Sequence, residues 1–280
     1  MIEIKPPSFI VVGERRIAYD EICPPNPRGT ILLLTGMAAK RLGWYKQLEV
    51  FGREYRTIAI DHRDTGDSDP VDRRYTAADQ ADDAAAVLQQ LGGLRAHVVG
   101  ISMGGFIALE LALRHPVLVR SLVLVATSAG GRRHQRPSLA TMRLLLARRG
   151  RDADPGELAR KVYTAIMGPG YAARNPEVME QIAALARYRP MTSAAYFRQL
   201  WVAMRHNVAA RLGQIKVPTL VIHGTDDPLV PPINGQRLAQ RIPGARLIVY
   251  PQTGHIPIIE RADEFNRDVL AFLAEQGRPA

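Results

Sequence analysis

A single serine is set between two glycines at a point where the chain changes character. The sequence Gly100-Ile101-Ser102-Met103-Gly104 follows an apolar run over residues 96–101 and opens an apolar segment with helical periodicity. Glycines two positions before and after the serine allow a strand-to-helix turn in which larger side chains would clash, and the hydroxyl is then exposed. The first N–H groups of the helix point to the same place and suit a developing oxyanion. Ser102 is therefore a candidate nucleophile for a carbonyl carbon, although such a serine can also simply cap a helix.

A serine hydroxyl becomes a strong nucleophile only when a base removes its proton and an acidic side chain holds that base in one tautomer. His255 lies in a loop after the apolar run 246–251, and Asp226 and Asp227 lie in a loop after the run 219–224. The order serine, aspartate, histidine along the chain is the one that this kind of turn requires. The other histidines that we weighed lie in predicted strands, at a helix end or in the helical segment described below: His97, His223, His115, His134 and His206.

Strands and helices alternate along most of the chain. Short runs of aliphatic and β-branched residues predict strands at 9–13, 15–22, 30–36, 56–61, 96–101, 121–127, 219–224 and 246–251. Helical periodicity predicts helices at 44–53, 76–91, 103–114, 233–242 and 262–275. This alternation predicts a mainly parallel sheet with helices on both faces and an antiparallel start.

The alternation stops between about residues 130 and 212, where the pattern is helical only. Helices are predicted there at 138–149, 156–167, 176–187 and 194–206. We interpret residues 130–212 as an all-helical cap inserted into a core domain made of residues 1–129 and 213–280.

The chain resembles the α/β-hydrolase fold proteins that carry a helical cap, and the likeness covers nearly its whole length. Besides the Gly-x-Ser-x-Gly sequence, two motifs match: Gly-x-x-Asp-x-x-Val-Pro, present as Gly224, Asp227, Val230 and Pro231, and Gly254-His255 before the final helix. The resemblance implies an α/β-hydrolase fold with an eight-stranded, mainly parallel sheet and a catalytic triad of Ser102, Asp227 and His255. The spacing of the aspartate motif selects Asp227 rather than Asp226.

The resemblance also implies an oxyanion hole formed by the backbone N–H groups of Met37 and Met103. Related proteins usually carry His-Gly after the third strand, whereas this chain has Thr35-Gly36, which keeps the glycine but not the histidine. Substrate choice is expected to depend on the cap and on the loop that follows Gly36. The residues expected to line the pocket are Gly36, Trp44, Tyr163, Met167, Trp201 and Met204. Apolar stripes of this kind also pack into cores.

The segment DHRDTGDSDP over residues 61–70 resembles the Asp-x-Arg-Gly-x-Gly-x-Ser turn of the same family, with Asp64 in place of the first glycine. A similar variant occurs in methylesterases that act on polyketide antibiotics. Four aspartates within ten residues raise the alternative of a metal site. The glycine-punctuated spacing favours a polar turn that braces neighbouring loops, and no metal or cofactor is expected.

The identity of the nucleophile separates reaction classes within this fold. Haloalkane dehalogenases and epoxide hydrolases of the family use a carboxylate at the turn, so a serine disfavours those activities. A serine with a histidine and an aspartate predicts hydrolysis of small to medium acyl or aromatic esters, lactones included, through an acyl-enzyme. Three alternatives stay open at this point: a carbon–carbon bond hydrolase, a cofactor-free haloperoxidase or perhydrolase, and a ligand receptor with slow turnover.

The charge of the chain is concentrated in one segment. The formal net charge is +10, and residues 129–213 hold 15 basic and 5 acidic residues, while the remainder is balanced. No aromatic-interleaved basic strand or finger spacing accompanies this charge, so nucleic-acid binding is not expected. The basic excess either attracts anionic substrates or forms a solvated face. With no apolar run long enough to span a membrane and no secretory signal, we expect a cytoplasmic monomer or homodimer acting on a small-molecule ester.

Overall fold

The computed structural model describes residues 4–93, 95–146 and 154–276. Eight strands form one sheet: β1 Ser8–Val12, β2 Arg15–Ile22, β3 Thr30–Leu34, β4 Arg56–Ile60, β5 Ala96–Ile101, β6 Val119–Val125, β7 Thr219–Gly224 and β8 Arg246–Tyr250. Their order is β1-β2-β4-β3-β5-β6-β7-β8, and only the β1–β2 and β2–β4 pairs are antiparallel. The predicted mainly parallel sheet with an antiparallel start is confirmed.

The helices are α1 Leu48–Gly52, α2 Ala77–Gln90, α3 Met103–Arg114, α4 Leu139–Leu146, α5 Pro155–Ile166, α6 Tyr171–Arg174, α7 Pro176–Arg187, α8 Ser193–Arg205, α9 Ile233–Arg241, α10 Pro257–Glu260 and α11 Ala262–Glu275. Short 3-10 segments occur at Arg41–Trp44, Pro116–Leu118 and Ala209–Gln214. Within the described part of the chain, no helix combines the length and the apolar character that crossing a membrane requires.

The prediction of one helix over residues 44–53 is wrong. The structure has a 3-10 segment at Arg41–Trp44 and then the short helix α1. Both Arg41 and Gln47 are buried and fixed by partners outside this segment, Arg41 by carboxylates and Gln47 by the carbonyl of Ile258. These tertiary contacts override the local helical pattern. The short helices α6 and α10 were not predicted, and residues 147–149 of the predicted helix 138–149 lie outside the described residues.

Two apolar layers hold the sheet between its helices. Strands β3 and β5 are buried at every position, as expected for central parallel strands covered on both faces. Because successive side chains of a strand point to opposite faces, Leu32 and Leu34 join the core beneath α2 and α3, whereas Leu33 packs with Phe51 and Phe265 on the other face. This packing on both faces fixes the positions of the carboxyl ends of the central strands.

Helices α4 to α8 follow one another between β6 and β7. The chain enters and leaves this segment at one place, where Gly130 and Asn207 form an isolated β-bridge and the N–H of Val208 donates to the carbonyl of Ala129 at 2.9 Å. Helix α5 packs against α7. We propose that residues 130–212 form a cap domain, called the cap below, on a core of residues 1–129 and 213–280.

Candidate active site

Ser102 occupies a strained turn between β5 and α3. Its backbone dihedrals are φ 55° and ψ −118°, a region that costs a non-glycine residue about 1–3 kcal/mol. A Cβ on Gly100 would collide with the carbonyl of Gly104, and a Cβ on Gly104 would collide with the carbonyl of Leu34. The N–H of Ser102 donates to the carbonyl of Val125 at 2.9 Å, which fixes the turn to the next strand. Both glycines are therefore required by close packing, as the sequence predicted.

The Ser102 hydroxyl does not cap helix α3, although Ser102 stands at the N-cap position of that helix. The simplest alternative for this serine, a structural helix cap, is thus not what the structure shows. Instead the side chain lies on the wall of a cavity of about 1370 Å³ that is lined by residues of both the core and the cap. His255 lines the same cavity.

His255 and Asp227 form a buried pair. His255 Nδ1 lies 2.8 Å from Asp227 Oδ2, and both residues are almost fully buried. The other oxygen, Oδ1, accepts from the N–H groups of Leu229 at 2.9 Å and Val230 at 2.8 Å. Since an ionised carboxylate only accepts, Nδ1 carries the proton in this bond and Nε2 keeps its lone pair. Asp226, by contrast, is exposed and bonds to the neighbouring Thr225.

The pKa of Asp227 is held at about 2. Burial alone would raise the pKa of this carboxyl, but the charge and hydrogen bond of His255, together with the hydrogen bond of His223, outweigh the desolvation. His223 Nε2 lies 3.3 Å from Asp227 Oδ2 and 2.7 Å from the carbonyl oxygen of Val230. Position alone had set His223 aside as an ordinary strand residue, and no sequence signal marks its contact with the carboxylate.

The backbone N–H groups of Met37 and Met103 stand beside the serine. Gly36, which precedes Met37, comes so close that a Cβ there would lie 3.2 Å from Ser102 Cβ. Met103 is the first residue of α3, so its N–H has no acceptor within the helix. Neither of the two N–H groups donates to an acceptor in the described part of the chain.

Gln199 from helix α8 supports the loop that carries Met37. Its Oε1 accepts from the N–H of Ala38 at 2.7 Å, and its Nε2 donates to Thr65 Oγ1 at 2.7 Å. Ala38 has a φ of 59°, so its conformation needs such support. Gln199 is fully buried. It is a site residue that the sequence analysis missed, because a glutamine in an amphipathic helix carries no distinguishing signal.

Three of the six expected pocket residues line the cavity, namely Gly36, Tyr163 and Met204. The other three have different surroundings. Trp44 is fully buried in the core beside Phe51, and its neighbour Tyr45 lines the cavity instead. Met167 is buried in the same core. The guanidinium groups of Arg74 and Arg205 stack on the Trp201 ring, at 4.5 and 5.2 Å from its centroid. Helical spacing identified inward-facing residues but did not separate core from cavity.

The turn over residues 61–69 joins the core to the cap. Asp64 has a φ of 68°, a conformation that favours glycine, which explains the glycine of related proteins at this position. Its carboxylate accepts from Arg198 of α8 with both distances at 2.8 Å. Asp67 accepts from the hydroxyl of Tyr188 at 2.8 Å. Asp61 and Asp69 pair with Arg41 and Arg16 respectively. The expected polar turn that braces neighbouring loops is confirmed.

Glu260 fastens the histidine loop to the cap. Its Oε2 accepts from the N–H of Gly254 at 3.0 Å and of Gly168 at 2.7 Å, and its Oε1 accepts from the N–H of Ile256 at 3.0 Å. The N–H of His255 itself donates to the carbonyl of Ile166 at 2.7 Å. The N–H groups of the residues before and after the histidine are therefore held by one carboxylate, and the cap takes part in the same network.

Known proteins resemble this chain over most of its length. A sequence model of the alpha/beta hydrolase fold matches residues 29–262. A Variovorax paradoxus protein assigned as a carbamate hydrolase, RutD, is 33% identical over 92% of this chain and 97% of its own length. A poly(3-hydroxyalkanoate) depolymerase of Ectopseudomonas oleovorans is 30% identical over 92% of this chain and 89% of its own. The solved enol-lactonase of Burkholderia xenovorans is 27% identical, with a TM-score of 0.82 over 95% of this chain and 100% of its own.

Proposed function

From the premise that the chain belongs to the α/β-hydrolase fold family and that its named relatives are hydrolases, we propose that it is a serine hydrolase of carboxylic esters, lactones included. The substrates we propose carry small to medium acyl or aromatic groups. One observation carries the proposal: the strained Ser102 turn and the buried His255–Asp227 pair meet at a single large cavity.

The proposed acylation uses Ser102, His255 and Asp227 together with two backbone N–H groups. His255 Nε2 takes the proton of the Ser102 hydroxyl as Oγ attacks the carbonyl carbon. Asp227, kept ionised, holds the imidazole in the required tautomer and stabilises the imidazolium that forms. The negative charge on the carbonyl oxygen is stabilised by the N–H groups of Met37 and Met103. The alcohol then leaves with the proton from His255, and an acyl ester on Ser102 remains.

Deacylation repeats the sequence with water. A water molecule gives its proton to His255 Nε2 and attacks the acyl carbon, and the same two N–H groups stabilise the second oxyanion. The acid is released when Ser102 Oγ recovers the proton. A lactone follows the same course, except that the alcohol and the acid leave as one hydroxy acid.

Carbamate hydrolysis is the second candidate, because a relative of 33% identity bears that assignment. A carbamate offers the same carbonyl to the serine, but its nitrogen donates electron density and makes the carbon less electrophilic. The two candidates therefore differ in acyl chemistry rather than in machinery. Turnover of a carbamate at a rate above that of the matched ester would favour this second candidate.

The test is steady-state hydrolysis of 4-nitrophenyl acetate, butyrate, octanoate and a longer ester by the wild type and by Ser102→Ala. We expect turnover with a chain-length optimum set by the cavity, and a loss of roughly 10³-fold or more in the variant. A fluorophosphonate probe should label the wild type at Ser102, identified by peptide mass spectrometry. A folded protein that turns over none of these esters and is not labelled would contradict the proposal and favour carbon–carbon hydrolysis or a ligand receptor.

A further inference from the structure

All the charged side chains that line the cavity in the described part of the chain are basic. They are Lys40, Arg132, Arg136 and Arg205, and no aspartate or glutamate stands among the lining residues. The three arginines are exposed and lie near the place where the chain enters and leaves the cap. A cleft lined by one sign of charge concentrates ligands of the opposite sign. The cavity therefore favours substrates that carry negative charge.

Lys40 differs from the three arginines because it is buried, with only 8% of its surface exposed. Its Nζ donates to the carbonyl of Leu185 at 3.0 Å. The carboxylates that act on it, Asp61 and Asp67, do so from beyond ion-pair distance and both pair with Arg41. An ammonium group has three N–H donors, and the structure gives one of them an acceptor among the described residues.

The buried positive charge of Lys40 is only partly compensated by the protein. Burial lowers the pKa of its ammonium group, and the attraction of Asp61 and Asp67 opposes that shift only in part. A buried charge without a partner is costly, whereas a bound anion would compensate the desolvation and use the spare N–H donors. The lining of the same cavity also includes Tyr45, Tyr163 and many apolar side chains, which suit the carbon chain of a ligand but not its charge.

We propose that the substrate is an ester or lactone that carries a second, ionised carboxylate, and that Lys40 binds this carboxylate inside the cavity. The inference rests on the hydrolase function proposed above and adds the substrate class. Lys40 follows Met37 by three residues, a stretch of chain that spans at most about 11 Å. Acyl chains of roughly six to ten carbon atoms span distances of that order, so a series over this range tests the separation between the scissile carbonyl and the carboxylate.

A purely structural role for Lys40 makes a different prediction. Its bond to Leu185 joins the loop after β3 to helix α7, so the side chain could serve only to hold the cap. In that case removal of the ammonium group would affect charged and neutral substrates alike. If Lys40 recognises the substrate, removal of its ammonium group lowers kcat/KM for the charged substrate only.

The experiment compares 4-nitrophenyl esters of hexanedioic, octanedioic and decanedioic acid with their neutral analogues, in which a carboxamide replaces the free carboxylate. The value of kcat/KM is measured for each pair with the wild type, Lys40→Met and Lys161→Met. Lys161 is exposed on α5 and does not line the cavity, so it controls for loss of one charge from the cap. We expect the wild type and Lys161→Met to favour the carboxylate about tenfold or more at the best length, and Lys40→Met to lose that preference.

The outcomes separate this inference from the hydrolase function. Equal values within every pair, or a preference that survives in Lys40→Met, would overturn the anion site while turnover of the neutral esters upheld the hydrolase. If no ester were hydrolysed, the hydrolase proposal would fail, and calorimetric binding of the same pairs to Ser102→Ala would decide the inference. Tighter binding of the carboxylate that is lost in Ser102→Ala/Lys40→Met supports the anion site, and equal binding within each pair refutes it.

Discussion

Replacing Glu260 by glutamine should slow the reaction much more than it weakens substrate binding. The carboxylate accepts three backbone N–H groups, two of which flank His255 in the chain. A glutamine keeps the size of the side chain but turns one of the two acceptor oxygens into an NH₂ group. That group repels the N–H it faces, so at least one hydrogen bond is lost whichever way the amide is oriented.

The expected magnitude follows from these bonds. A hydrogen bond to a charged group contributes roughly 1.5–3 kcal/mol, and its loss lowers the free energy of unfolding by about that much. For a protein of this size each kcal/mol corresponds to about 2–4 °C in Tm. The kinetic effect is of similar size and has a separate cause, because a displacement of about 1 Å in a reacting group costs on the order of 10²-fold. We expect kcat to fall roughly 10- to 100-fold with little change in KM.

The assay is the pre-steady-state burst of 4-nitrophenol together with kcat and KM for one short ester. Glu264→Gln is the matched control, since Glu264 lies four residues further on, in the first turn of α11, and its ion pair is a 3.5 Å contact with Arg261. A Glu260→Gln protein that melts earlier but keeps its burst rate at a temperature where it is folded would refute the reasoning. Glu260 would then stabilise the fold without positioning His255.

Three further changes test the site and the fold. Asp227→Asn should lower kcat by about 10³- to 10⁴-fold, and Asp226→Asn should leave it within about twofold; the reverse order of steady-state rates would mean that the wrong carboxylate was chosen. Gln199→Leu should lower kcat/KM at least tenfold, because Ala38 loses its acceptor and the Met37 N–H moves; an unchanged value with a folded protein argues against that donor. Burial lowers the pKa of His97 to about 4, below its ordinary value of about 6.5. The unfolded chain then binds a proton that the folded one does not, so His97 alone should lower the free energy of unfolding by about 1.4 kcal/mol for each unit that the pH falls between about 6.5 and 4. Burial lowers the pKa of His62 and His206 as well, so urea titrations should find the total slope shallower, but still present, in His97→Gln.

The sequence carried enough information for the sheet, for most helices and for the choice of Asp227. The bounds of α7 and α11 agree with the prediction to the residue, since a proline or an acidic first turn marks each start and the periodicity is unbroken. The other predicted elements differ from the structure by at most two residues at either end, apart from the segment around α1 and the helix predicted over 138–149, whose last three residues lie outside the described part of the chain. Local signals sufficed wherever an element is defined by its own pattern.

Contacts between residues far apart in the sequence could not be predicted from such local signals. Gln199 supports Ala38 across 161 residues, and Glu260 reaches Gly168 across 92. Neither side chain belongs to a motif, and each acts through a backbone N–H that any residue would supply. Trp44 is a second example of this limit. Its size and spacing predicted a buried position, but they did not distinguish the apolar core, where it lies, from the cavity wall.

The bridge between Gly130 and Asn207 has a consequence for how such a protein can diversify. The strands on either side, β6 and β7, are neighbours in the sheet, and the segment that connects them begins and ends at this bridge. The pairing of β6 with β7 therefore does not depend on the length of the segment between them. Caps of other lengths could replace this one at the bridge without moving Ser102. Each would need side chains that take over the hydrogen bonds of Gln199 and Arg198 to the core. Specificity can then change as an exchangeable module while the catalytic chemistry stays in place.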